Sequence, residues 1–204
     1  MQEMKGNETL IDKLEKAGLV TVIIIWLLRV WLGPVLNFAL LVTTTLLAVY
    51  YLWFGFFIFN GIQPLDLLQR HVRQMFNPFR ITTSILMGFI MSYLLIAILF
   101  GFYFFPGSPA VMASAFGMLM AFMLALLFFY FIKRREVPHG RKFYIRTGLL
   151  LVGLLMLWLP PVEDRLNLLY REYPEFVEAY MEHMESPECP DAEERLREER
   201  SRFR

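Results

Sequence analysis

Long apolar runs, separated by short polar or turn-forming segments, dominate the pattern of residues along this chain. Residues 19–59, 81–132 and 147–162 hold most of the hydrophobic side chains. Within these runs no polar face recurs at the helical spacing, as it would on a helix at the surface of a soluble protein. An apolar run of about 20 residues is long enough to cross a bilayer as a helix. The pattern therefore favours an all-α polytopic membrane helix bundle over the alternative of a soluble helical core.

Proline and glycine divide the apolar runs into segments of spanning length. Pro106-Gly107 splits the second run, and Pro-Gly is typical of a turn. Gly33-Pro34 splits the first run in the same way, which leaves a first segment that is short for a span. The five predicted spans cover residues 17–32, 35–59, 81–105, 110–132 and 147–162.

The two turns also indicate an internal repeat. A shift of 72 residues places Pro34 on Pro106 and Phe57 on Phe129. This correspondence favours two tandem copies of one helical hairpin, followed by a final helix. Because that final segment is short and closes at Pro160-Pro161, the alternative is a shallow or re-entrant segment and four spans in all.

The distribution of charge predicts how the chain is oriented in the membrane. Residues 60–80 and 133–146 are both basic, whereas the turn at residues 106–109 carries no charge. Because basic connections stay in the cytoplasm, we expect these two segments and the polar N-terminal segment, residues 1–16, on the inner side of a bacterial cytoplasmic membrane. A fifth span would then place the tail, residues 163–204, in the periplasm. The tail has 13 Asp and Glu residues against seven Arg residues and shows helical periodicity.

One connecting segment is amphipathic. Residues 64–76 place Leu65 and Leu68 on one helical face and polar side chains on the other. We predict an interfacial helix on the cytoplasmic surface, with arginines near lipid headgroups. The alternative is a connector that shields the ends of neighbouring helices. The headgroup candidates are Arg70, Arg73 and Arg80.

Small residues form rows on two of the predicted spans. The fourth span carries one small residue every four positions, and the third span carries Gly88 with Ser92. Such rows let another helix approach closely. Packing within one hairpin and docking of a partner subunit are both open. The row on the fourth span is Ala113, Gly117, Ala121 and Ala125.

Arg29 is the one ionisable residue that falls inside a predicted span. Its position near the predicted outer boundary favours a membrane-boundary charge that snorkels to the headgroups. The alternative is a salt bridge to an acidic residue of the tail, such as Glu163 or Asp164. No carboxylate is predicted at membrane depth, which argues against a proton-coupled transporter or a channel formed by this chain alone.

The sequence carries no signature of an enzyme. His71, His139 and His183 fall in three separate segments without metal-ligand spacing, and Cys189 is the single cysteine. No glycine loop for phosphates is present. We therefore expect no catalytic residue, cofactor, metal or nucleic acid, and as partners the lipid bilayer together with other membrane subunits or a second copy.

The hairpin resembles the transmembrane hairpin of the gliding-motility and type IX secretion motor subunit, and uncharacterised multi-pass proteins of Bacteroidota. The matching stretches are "RVWLGPV" and "GFYFFPG", which keep Arg29 and the turn residues. A histidine expected before the turn is absent from both, as is an intramembrane acidic residue. The resemblance covers at most residues 17–132 and implies an envelope membrane protein without motor activity.

These observations favour a non-catalytic integral membrane subunit, or an accessory or assembly protein, of a bacterial envelope complex. The alternative is a small-molecule or lipid transporter that acts as a homo-oligomer. A transporter predicts a polar cavity around Asn37 and Thr43–Thr45. A membrane enzyme is a third possibility and needs polar residues that converge at one bilayer surface.

Overall fold

A computed structural model of the chain describes residues 10–69, 78–105, 107–133, 141–186 and 188–202. In these residues the fold is all-α, as the apolar pattern predicts. The contacts divide the chain into two compact units, Met1–Val22 with Leu41–Trp158, and Ile23–Leu40 with Leu159–Arg204. The helices are α1 (Leu10–Leu32), α2 (Asn37–Asn60), α3 (Pro78–Tyr103), α4 (Ser108–Lys133), α5 (Arg141–Trp158), α6 (Val162–Leu169), α7 (Pro174–Glu185) and α8 (Pro190–Ser201).

Three helices of the described residues are long and apolar enough to cross a membrane, namely α2, α3 and α4. They correspond to the second, third and fourth predicted spans. Helix α5 is long and apolar enough only if it is taken together with α6, across the break at residues 159–161. The described residues therefore contain three or four candidate membrane spans. The five-span count and the tandem hairpins remain predictions.

Helices α1 and α5 depart from their predicted bounds for the same reason. Each continues into a charged segment that the apolar pattern treats as a connection: α1 begins at Leu10 and α5 at Arg141. Lys, Arg and Glu are good helix formers, so a helix does not have to end where its hydrophobic run ends. The end of α5 at Trp158 agrees with the prolines that follow, which cannot continue a regular helix.

Helix α3 is the centre of the first unit. It packs against α4 and α5, and its buried side chains include Met87, Met91 and Leu94. Helices α2 and α4 instead expose large apolar side chains, such as Trp53 and Phe128. Apolar residues that face outward along helices of spanning length are typical of a surface in contact with lipid.

The α2–α3 crossing brings two backbones into contact. A Cβ atom added at Gly55 would lie 2.5 Å from Gly88 Cα, and one added at Gly88 would lie 2.7 Å from the carbonyl oxygen of Tyr51. Both distances are shorter than any ordinary contact. Glycine is therefore required at both positions for this approach, which is a packing mode common between membrane helices.

The two proline–glycine connections have different backbones. Gly33–Leu36 forms a 3₁₀ helix between α1 and α2. The second connection is a tight turn in which Phe104 and Gly107 adopt positive φ angles of 49° and 79°. Glycine occupies such angles without steric cost, whereas a phenylalanine is strained there. The described residues of the two connections thus differ in backbone conformation, and the order of glycine and proline is also reversed between them.

The second unit contains the helical tail. Helix α7 begins at Pro174 and packs against α8. Its core includes Leu166, Phe176 and Leu196. An exposed ion pair, Arg195 to Glu182 at 2.7 Å, links α8 with α7. The helical periodicity predicted for the tail therefore corresponds to the inner faces of these packed helices.

The amphipathic segment is described only in part. Pro64–Leu68 forms a short 3₁₀ helix in which the backbone N–H of Gln63 donates to Asp66 Oδ2 over 2.8 Å. Leu65 and Leu68 are 70% and 77% exposed. Residues 70–77 lie outside the described residues, as do Arg70, Arg73 and most of the predicted interfacial helix.

Candidate functional site

A buried cluster of ionisable side chains lies where α1, α2 and α5 meet in the first unit. Asp12 and Glu15, three residues apart, share one side of α1, while α2 supplies Tyr51 and α5 supplies Arg146. Asp12 is 4% exposed, and Glu15 and Tyr51 are fully buried. Charged side chains are almost never buried unless they are paired, so each member needs its partners.

Arg146 links the two carboxylates. Its Nη2 atom donates to Asp12 Oδ1 over 2.9 Å and also to Glu15 Oε2 in a very close contact. The same guanidinium lies over the ring of Phe59, with 6.0 Å to the ring centroid, and its Nη1 atom is 3.4 Å from the carbonyl oxygen of Ile58. One arginine of α5 thus joins α1 to the end of α2.

Two adjacent tyrosines of α2 hold the other side of α1. The hydroxyl of Tyr51 donates to Glu15 Oε1 over 2.6 Å, and the hydroxyl of Tyr50 donates to the backbone carbonyl of Ile11 over 2.9 Å. Both oxygens of the Glu15 carboxylate therefore accept a hydrogen bond. Because these bonds involve a charged group in a protected site, they are stronger than exposed ones.

The electrostatic balance at Glu15 is unusual. Burial raises the pKa of Glu15 above its ordinary range, and the positive charge of Arg146 together with the Tyr51 hydrogen bond only partly offsets this. The neighbouring carboxylate of Asp12 raises the pKa further. Glu15 precedes the apolar segment of α1, so the cluster lies at the charged end of that helix.

A second polar contact joins α2 and α3 in the same unit. Asn60 accepts from Arg80 Nε over 2.7 Å through its Oδ1 atom, and its Nδ2 atom donates to Ser84 Oγ over 3.0 Å. Arg80 is half-buried, and its Nε atom is bonded within the protein. Its place near lipid headgroups remains a prediction.

Arg29 is buried in the second unit. Its Nε atom donates to Asn37 Oδ1 over 2.7 Å, and its guanidinium lies over the ring of Tyr170, 5.3 Å from the centroid. The side chain has no exposed surface, so it does not snorkel outward. The tail does contribute a neighbour, but that neighbour is an aromatic ring, while Glu163 and Asp164 are exposed. Its place at a membrane boundary remains a prediction.

The two rows of small residues have different surroundings. Gly88 and Ser92 on α3 are buried, and Gly88 packs against α2 rather than within its own hairpin. The α4 row, consisting of Ala113, Gly117, Ala121 and Ala125, is exposed along its length. Internal packing of α4 uses other residues: Met112, Ala115, Leu119, Phe122 and Leu126. The structure therefore leaves the α4 row open, and packing inside the hairpin does not account for it.

Sequence reasoning missed the buried cluster. The sequence pattern places Asp12 and Glu15 in a polar N-terminal segment, Arg146 in a basic connection and Tyr51 in an apolar span. The spacing of the two acids on one side of α1 was the available signal. A charged residue in a predicted connection can form a buried ion pair when the helix extends beyond its apolar run.

The threonines proposed to line a transporter cavity do not share one face. Thr43 is half-buried, Thr44 is buried and Thr45 is exposed. Successive residues of a helix are about 100° apart, so three consecutive side chains point to different sides. Among the described residues, no group of three or more His, Cys, Asp and Glu side chains could hold a metal ion.

Comparisons with models of known families, with curated proteins and with solved structures found no match. The class of protein therefore follows from the fold and the site alone. It is an all-α protein with several helices long and apolar enough to span a membrane.

Proposed function

We propose that the protein is a non-catalytic integral membrane subunit, or an accessory or assembly protein, of a bacterial envelope complex. The observation that carries this proposal is the exposed α4 row, which lies on a helix long enough to span a membrane. The opposite side of α4 is buried against α3 and α5. A row of small residues offers little to lipid chains but lets a second helix approach closely.

The occupant that fits the α4 row is a transmembrane helix of another subunit. Gly117 has no atom within 4 Å of the position where a Cβ would stand, so its side of α4 is open to a neighbour. In a bilayer, close packing and weak contacts between backbones hold helices together, since lipid and leucine are equally apolar. A large side chain at the row would keep the partner's backbone away.

The positive-inside pattern supports the cytoplasmic membrane as the location, with the N-terminus inside and the tail in the periplasm. In this orientation the tail adds a charged helical surface outside the membrane. The ion pairs of Arg195 on α8 with α7 are exposed, which suits a helical segment that faces water.

Affinity purification of the tagged protein from its native membrane in mild detergent tests the proposal. The matched variants are Gly117→Leu and Gly148→Leu, because both glycines are helical and an added Cβ meets nothing within 4 Å at either site. We expect a stoichiometric partner with the wild type and with Gly148→Leu, and its loss with Gly117→Leu. Recovery of a second copy of the chain, and of no other protein, would show self-association in place of a complex with another subunit. Recovery of a lone monomer would overturn the proposal.

A further inference from the structure

The connection between α1 and α2 presents large apolar side chains outward. This connection, the 3₁₀ helix Gly33–Leu36 with the helix ends beside it, belongs to the second unit. Trp31, Val35 and Phe38 are 82%, 84% and 76% exposed there. The sequence carries no charged residue from position 30 to position 65. Turns that face water are normally polar, so these side chains fit a different environment.

The polar side chains of this connection bond to each other. Between Arg29 and Thr43, Asn37 is the one residue with an amide, hydroxyl or charged side chain. Its Oδ1 atom accepts from Arg29 Nε over 2.7 Å. Asn37 is half-buried, and Arg29 has no exposed surface. Polar groups among lipid chains have to be satisfied within the protein, so this arrangement suits contact with lipid rather than with water.

The tail supplies a cover for Arg29. Tyr170, directly after α6, places its ring over the guanidinium, 5.3 Å from the centroid, and is itself 5% exposed. The ring of Phe176 on α7 lies 4.6 Å from that of Tyr170, so the tail holds the cover in place. An aromatic ring attracts a cation and separates it from its surroundings. An uncovered arginine would draw water and headgroups into the bilayer around it.

We propose that the hairpin tip, Trp31–Phe38, is embedded in the lipid of the nearer leaflet, and that Tyr170 of the tail makes this possible by covering Arg29. Lipid is the occupant that fits, because Phe38 already belongs to α2, a helix long and apolar enough to cross a membrane. Trp31 suits this level, since tryptophan is enriched where lipid chains meet headgroups. The inference is independent of the partner helix proposed for α4.

Spin labels on the full chain in lipid nanodiscs measure the depth of the hairpin tip. Cys189→Ser removes the native thiol, and Val35→Cys then places one label at the tip. The reference labels are Trp53→Cys, at an exposed apolar position of α2, and Arg197→Cys, at an exposed charged position of α8. Oxygen concentrates in lipid, whereas a nickel chelate stays in water. We expect the ratio of oxygen to chelate collisions at position 35 to match position 53 and to exceed position 197.

Two results at position 35 would overturn the proposal. A ratio equal to that at position 197 would show that the tip faces water. A label that neither reagent reaches would show that protein, such as a second copy of the chain, covers the tip instead of lipid.

Tyr170→Ala tests the role of the cover. We expect the collision ratio at position 35 to fall several-fold, because water follows the uncovered Arg29. Arg29→Met removes the charge but keeps a long side chain, so in that background Tyr170→Ala should leave the ratio unchanged. The control is Tyr173→Ala, at a tyrosine of the same segment that is 37% exposed, which should also have no effect. An unchanged ratio with Tyr170→Ala, or an equal fall in both backgrounds, would overturn the role assigned to Tyr170.

Discussion

The close crossing of α2 and α3 makes a quantitative prediction for the Gly55→Ala variant. The added methyl carbon would lie 2.5 Å from Gly88 Cα and 3.3 Å from Gly88 N. Ordinary contacts of this kind begin near 3.4 Å, so the two backbones would have to separate by about 1 Å. The obstacle is backbone rather than the end of a flexible side chain, so no rotamer change can remove it.

Overpacking of this kind costs about 1–3 kcal/mol. Alanine regains up to about 1 kcal/mol because it forms helix better than glycine. Compared with a Gly→Ala variant that gains the same helix propensity without overpacking, Gly55→Ala should therefore be less stable by about 1–3 kcal/mol. In a chain of this length each kcal/mol lowers the melting temperature by about 2–4 °C, so we expect a difference of about 2–12 °C.

Thermal unfolding in detergent, followed by circular dichroism, measures this loss. Gly117→Ala is the matched control, because the same methyl group meets nothing within 4 Å on α4. The control should be unchanged or slightly stabilised by its better helix propensity. If Gly55→Ala and Gly117→Ala have the same melting temperature, the backbones of α2 and α3 do not touch and the reasoning is refuted.

Three further predictions concern the buried cluster and the tail. Tyr51→Phe should lower the free energy of unfolding by about 1–3 kcal/mol, because a buried carboxylate loses a donor, whereas Tyr93→Phe, at an exposed hydrogen bond, should have little effect on the same melting curve. Arg146→Ala should lower the free energy of unfolding by about 3–5 kcal/mol, because it leaves buried carboxylates without their cation. Arg195→Ala, at an exposed ion pair, should lower it by only about 0–1 kcal/mol, and comparable losses in the two variants would show that the cluster is not buried. Cys189 should react with an impermeant thiol reagent on intact spheroplasts, and its protection would place the tail inside.

The apolar pattern predicted the helices whose limits are set by composition. Helix α3 ends and helix α4 begins within a few residues of the expected bounds, because turn residues at Gly107 separate two long hydrophobic runs. The pattern could not predict how far α1 and α5 continue beyond their apolar runs. The helix propensity of the charged residues permits that extension, and the contact of Arg146 with carboxylates on another helix is a tertiary event that the pattern does not encode.

The candidate site shows the same limit. Glu15 and Arg146 are 131 residues apart in the chain. In the sequence, Glu15 belongs to a polar N-terminal segment and Arg146 to a basic connection, so neither residue indicates a buried site. Similarly, nothing in the spacing of Gly88 and Ser92 reveals that Gly88 faces α2. Periodicity tells which residues share a side of one helix, but the choice of neighbouring helix depends on packing across the whole unit.

The exposed α4 row connects the structure to the proposed role. Helix α4 has already buried one side against α3 and α5, yet it keeps small residues on the side that remains open. A helix that faced lipid alone would have no packing reason for that arrangement. A subunit that binds a partner helix on this side has such a reason.

Site-specific photo-crosslinking in the native membrane tests the central claim most directly. A photoreactive side chain placed at Gly117 lies on the α4 row, and one placed at Gly148 lies on another helix with equal room. A subunit role predicts a discrete protein adduct from position 117 and none from position 148. Adducts to lipid alone at position 117, or the same products from both positions, would contradict it.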